Sequence, residues 1–116
     1  MSDLVDRDAL LDRVDGDLEY LEETVDLLES DGRSLVEQLR AASAASDQDG
    51  MARKAHTLKG MVSNFCADSV QRVAEEIEHA ARRGELDGIP AKVEGFAKLF
   101  DCLCQETRAM LSGEGA

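Results

Sequence analysis

The chain has no tryptophan, one tyrosine and three phenylalanines among its 116 residues, so Leu, Val, Ala and Met must fill its interior. Proline occurs once. No stretch alternates β-branched with polar residues over the length of a strand, which argues against a sheet protein and for helices. Long apolar runs are missing, and none approaches a membrane span. The amino-terminal Met1-Ser2-Asp3-Leu4-Val5-Asp6 is acidic and lacks the apolar stretch of a secretory signal, so a cytoplasmic protein is expected. Basic charge is scarce: 13 Lys and Arg face 25 Asp and Glu, for a net charge of −12. Such a surface repels phosphate backbones and anionic lipid, so neither nucleic acid nor a membrane is the expected ligand. It suits a protein partner with a basic surface of its own. The three cysteines are irregularly spaced, and Cys102 and Cys104, two apart on a helix, point in different directions. They suit neither a metal site nor a redox pair and are expected to be reduced, small apolar side chains.

What is present is helical periodicity. A short helix is expected from Arg7 to Val14, capped by Asp6 and stopped near Gly16. A second starts at Asp17 and carries Leu18, Leu21, Val25 and Leu28. Ser30-Asp31-Gly32 interrupts or kinks it before Leu35, Val36 and Leu39 continue the stripe to about Ala45. The polar run from Ser46 to Gly50 reads as a loop that caps a helix from Met51 to Phe65. Asp68-Ser69-Val70-Gln71 has the pattern of a capping box, opening a helix with Val70, Val73, Ala74, Ile77 and Ala81 inward and an end at Gly84. Pro90 suits the first turn of the last helix, whose stripe runs from Val93 through Phe96, Phe100, Leu103 and Thr107 to Leu111, with Gly113 as its stop. Short connections give an antiparallel up-and-down four-helix bundle with a short additional N-terminal helix as a lid. One domain spans residues 1–116, with a helical core of about 6–112. A monomer is expected, because one stripe per helix is consumed by the core.

The most informative stretch is His56-Thr57-Leu58-Lys59-Gly60. On a wheel of about 100° per residue, Met51, Ala55, Leu58, Val62 and Phe65 fall within an arc of roughly 80°. His56 lies about 140° from its middle and so faces outward. Ala52 and Gly60 lie one turn to either side of it, Ser63 is two turns along, and Arg53 and Lys59 flank it. The arrangement offers an imidazole with a nitrogen lone pair, a fixed cation beside it and a gap through which another protein can approach. Glycine inside a helix costs about 1 kcal/mol against alanine, so Gly60 asks for a reason; close helix packing is the bland one, close approach of a partner the functional one. Ser63 and Asn64 either orient the ring or face water. His79 reads as a plain surface histidine, and Met51, Met61 and Met110 as packing residues. No phosphate loop, nucleotide motif or magnesium cluster accompanies His56, so no cofactor is expected in this chain.

Ala55-His56-Thr57-Leu58-Lys59-Gly60, followed by Asn64-Phe65-Cys66-Ala67, resembles the signature of histidine-containing phosphotransfer (HPt) domains of two-component phosphorelays. Asp17-Leu18-Glu19 and Ile77-Glu78-His79-Ala80-Ala81 extend the likeness across nearly the whole chain. The resemblance implies a four-helix bundle in which the histidine at His56 is phosphorylated by a receiver-domain aspartate. It further implies that Lys59 contacts the phosphoryl group and that Gly60 permits close docking. Ala52, Arg53, Ser63, Asn64 and Ala67 are the expected rest of the docking face. Receiver domains and a hybrid histidine kinase are the implied partners, with magnesium supplied by the receiver. The chain departs from the pattern at Cys66-Ala67, where the family usually has Gly-Ala; this bears on how tightly the helix can end.

Three functions fit these residues. A phosphocarrier would exchange a phosphoryl group between His56 and receiver aspartates. A non-transferring docking module would bind a receiver or histidine kinase only. A kinase dimerisation domain is weaker, since its histidine is usually followed by an acidic residue, here Thr57, and no ATP-binding domain is present.

Overall fold

Aspartates begin three of the helices in the computed structural model, which describes residues 4–112. The Asp6, Asp17 and Asp47 carboxylates accept the Ala9, Tyr20 and Gly50 amides, each binding one of the N–H groups that a helix start leaves without a partner. The helices are α1 (Arg7–Arg13), α2 (Leu18–Leu27), α3 (Arg33–Ala44), α4 (Gln48–Ser63), α5 (Asp68–Arg82) and α6 (Ile89–Leu111). A π turn, Leu28–Gly32, joins α2 to α3, so the expected interruption at Ser30-Asp31-Gly32 is a register shift within one continuous rod. At Gly32 a Cβ would run into the Phe100 ring, so the rod needs glycine to lie this close to α6.

The rod, α4, α5 and α6 form the four-helix bundle expected from the sequence, packed in the ring α3–α4–α5–α6. Leu21, Val25, Leu39, Leu58, Val62, Ile77, Phe96, Phe100 and Leu103 lie in its core. Short α1 closes the end where α4 meets α5. Val5, Leu10 and Val14 are buried, the Leu4 and Val5 amides donate to the Glu106 carboxylate, and the Asp6 amide donates to the Cys66 carbonyl. None of the helices among the described residues is long and apolar enough to cross a membrane.

Several boundaries differ from expectation, each for a local reason. Helix α4 starts at Gln48 rather than Met51, because Gly50 has no side chain to obstruct the Asp47 carboxylate reaching its amide. It stops at Ser63 rather than Phe65, because Cys66 takes a left-handed conformation, φ 54°, and turns the chain toward α5. The capping box does not form. Ala67 occupies the cap without a side-chain bond, and Asp68 lies in the first turn, where its charge meets the positive end of the helix dipole. Helix α5 does end at Gly84 as expected, with φ 72° and the Glu85 amide closing on the Ala80 carbonyl. The expected stop at Gly113 lies outside the described residues. The cysteines are free; Cys104 is buried, which pushes its thiol up to about 11.

Candidate functional site

Helix α4 buries Met51, Ala55, Leu58 and Val62 against the bundle and turns His56 outward, with 61% of its side chain exposed. The ring is nevertheless fixed. Its Nδ1 lies 2.9 Å from Oε2 of Glu78, a side chain only 6% exposed that comes across from α5. Lys59 and Arg82 reach the same carboxylate: Lys59 Nζ lies 2.8 Å from Oε1, while Arg82 donates to Oε2 from Nε at 3.1 Å and from a terminal nitrogen at 2.8 Å. The Lys59 contact is an ion pair without the alignment of a directed hydrogen bond, so it neutralises Oε1 rather than saturating it.

Burial alone would raise the Glu78 carboxyl. The Lys59, Arg82 and His56 contacts outweigh it and bring the group down to about 2. Glu78 is therefore ionised at neutral pH and can only accept hydrogen bonds. In the neutral ring this assigns the proton to Nδ1 and leaves the lone pair on Nε2.

The other expected site residues divide. Gly60 is exposed, and a Cβ there would meet nothing within 4 Å, which removes helix packing as its explanation. Arg53 is exposed and pairs with Asp49 at 3.0 Å. Ser63 donates its hydroxyl to the Gly60 carbonyl at 2.7 Å, so that group is engaged by the backbone rather than by the ring. Asn64 is exposed at the end of α4. Ala52 and Ala67, expected in the docking face, are buried and are corrected: the close packing of α4 on α5 widens the inner arc to take in Ala52, and the turn at Cys66 folds Ala67 inward. His79 is exposed, as expected.

Glu78 and Arg82 received no role from the sequence. The available signal was a carboxylate inside the apolar stripe of Ala74, Ile77 and Ala81, with an arginine one turn on. A groove of about 460 Å³ runs between α1, α2 and α4, lined among others by Leu10, Tyr20, Leu27, Met61, Phe65 and by Thr57, which follows His56 in the chain. Among the described residues no group of three or more His, Cys, Asp or Glu is placed to hold a metal ion.

The profile of the Hpt domain family matches residues 19–112. The fold is similar to the crystal structure of histidine-containing phosphotransfer protein B (HptB) from Pseudomonas aeruginosa PAO1, with a TM-score of 0.88 and 25% sequence identity over 97% of each chain. No curated protein sequence matches the chain.

Proposed function

The chain belongs to the Hpt domain family and shares its histidine phosphotransfer role in phosphorelays; from that premise we propose that His56 carries the phosphoryl group, exchanging it with aspartates of receiver domains. The observation that carries this reading is an exposed imidazole whose Nδ1 is held by a buried, ionised Glu78. The Nε2 lone pair attacks the phosphorus of an aspartyl phosphate. The N–P bond forms as the P–O bond to the aspartate breaks, and the carboxylate leaves with the bonding pair. Nδ1 keeps its proton, so the ring becomes cationic, and Glu78 faces that charge. Onward transfer to a second aspartate runs the same step in reverse.

Lys59 supplies a cation one turn from the ring, and its role is to stabilise charge on the phosphoryl oxygens. Arg82 then keeps Glu78 paired when Lys59 turns toward the phosphoryl group. Gly60 gives the partner room, with Arg53 and Asn64 at the contact edge. We assign magnesium and its ligands to the receiver, and a hybrid histidine kinase with its own receiver is the fitting upstream donor.

Incubation with a radiolabelled phospho-receiver should place an acid-labile, base-stable label on the chain, and His56→Gln should abolish it. Label persisting in that variant would overturn the assignment. Tight receiver binding without label would favour the docking-only function.

A further inference from the structure

In a phosphorylated imidazole, the nitrogen that carries no phosphorus decides how easily the other one gives its phosphoryl group up. When Nε2 bears phosphorus and Nδ1 keeps its proton, the N–P bond breaks to release a neutral ring. When Nδ1 is bare, Nε2 must leave with a negative charge, and departure is far slower. Whatever holds the Nδ1 proton therefore sets how long a phosphohistidine lasts.

In this chain that proton faces Oε2 of Glu78 at 2.9 Å, on a carboxylate that is 6% exposed and ionised at neutral pH. Two cations oppose its pull on the proton. Lys59 Nζ lies 2.8 Å from Oε1 and an Arg82 nitrogen lies 2.8 Å from Oε2, so both bring positive charge close to the ring. The charged groups on the other neighbouring turns are engaged elsewhere. Arg53 on α4 pairs with Asp49, Arg33 and Arg40 of α3 turn to Asp101 and Glu94 of α6, and Glu29 of the π turn is held by Arg108. Removing the charge of Glu78 would thus leave the ring beside two unopposed cations. Phosphorylation strengthens the hold of Glu78, because the phosphoryl dianion draws the Lys59 ammonium away from the carboxylate.

We propose that Glu78 sets the lifetime of the phosphohistidine, keeping Nδ1 protonated so that His56 passes its phosphoryl group on quickly instead of storing it. The proposal rests on His56 being the phosphorylated residue and adds what governs release. In hydrolysis a water oxygen bonds to phosphorus as the N–P bond breaks. Nε2 takes the bonding pair, and the products are neutral imidazole and dihydrogen phosphate. Transfer to an aspartate follows the same course with a carboxylate oxygen as the incoming atom. Glu78 touches neither phosphorus nor that oxygen, so it is a positioning residue acting through Nδ1.

The test needs no receiver. The full chain is labelled on His56 with phosphoramidate, a small-molecule donor, freed of reagent and followed by phosphorus NMR. At about pH 8, where an isolated imidazole is mostly unprotonated, the wild type should lose its phosphoryl group about tenfold faster than Glu78→Gln. Its rate should also persist to higher pH than that of the variant. Nitrogen NMR should find Nδ1 protonated in the phosphorylated wild type and bare in phosphorylated Glu78→Gln at the same pH. Arg82→Ala removes an opposing cation and should shorten the lifetime, the opposite sign from Glu78→Gln. A loosened fold would move both variants the same way, and if Glu78→Gln does not fold, Arg82→Ala alone decides. Equal lifetimes and coincident pH profiles in wild type and Glu78→Gln would overturn the proposal, as would a longer lifetime in Arg82→Ala. Labelled His56 that obeys this order but hands nothing to any receiver would end the phosphocarrier reading and leave the role of Glu78 standing. No label on His56 would end both.

Discussion

Glu78 brings three cation-capable side chains to one buried carboxylate, and its charge is what keeps them together. Burial raises its proton affinity, but the Lys59, Arg82 and His56 contacts win and hold the folded group at about 2 against an ordinary value of 4.5. The folded carboxyl is depressed, so its contribution to stability is complete above about pH 4.5 and is lost as pH falls toward 2. Replacing Glu78 by Gln keeps the shape and a carbonyl acceptor but removes the charge. Urea midpoints should therefore show the wild type losing its advantage over Glu78→Gln as the pH is lowered through that window. Phosphoryl transfer at neutral pH should be slower in the variant, because nothing then opposes the positive ring. At this scale the sequence was readable where the site is local. His56, Lys59 and Gly60 fall within five consecutive residues, and one helical wheel relates them. Glu78 lies 22 residues further on, on another helix, and only packing brings it to the ring.

For α4, the question is what a glycine does at its exposed face. With open space around Gly60, a larger side chain there has nothing to collide with inside the protein. Gly60→Leu should raise unfolding free energy by about 0.5–1 kcal/mol, as helix propensity dictates. The same variant should slow transfer from a receiver by about tenfold or more, because the added side chain stands in the approach to Nε2. Thermal unfolding and label transfer read the two effects separately; a gain in stability without loss of transfer would remove Gly60 from the docking role. The element starts at Asp6 and Asp17 were legible because a side chain next to a periodic stripe announces a cap. The Ser46–Gly50 run announced a cap without saying which residue supplies it, and α4 starts three residues before the expected Met51. The start of α5 was misread for the converse reason. Asp68 and Gln71 match a capping box by spacing, yet the left-handed Cys66 turn, which no local pattern in a non-glycine residue announces, moves the cap to Ala67. A non-glycine residue pays about 1 kcal/mol for that conformation, and the buried packing of Phe65 and Ala67 on either side holds it there.

The whole molecule couples its amino-terminal arm to the end of the bundle nearest the close of α4. Burying Val5, Leu10 and Val14 contributes about 5 kcal/mol before the entropy of ordering the segment is subtracted. A chain beginning at Gly16 keeps the Asp17 cap but loses those contacts and the Glu106 anchor. It should unfold at lower urea, by about 2 kcal/mol in free energy, while retaining helical circular dichroism. Unchanged stability would mean that the arm is not integral to the fold. The bundle was legible because short polar connections leave consecutive helices no arrangement but antiparallel neighbours. The groove was not, since its walls come from three helices and it exists only once they are docked.

The π turn at Leu28–Gly32 acts as a phase joint between α2 and the bundle. Were the same five residues to wind as an α-turn, everything upstream would rotate by nearly one residue's worth, about 100°, about the rod's axis. Tyr20 and Leu27 would swing out of the groove while His56 and Glu78 stayed where they are. The groove wall and the nucleophile thus ride on separately geared parts, and the winding of this single turn sets one against the other.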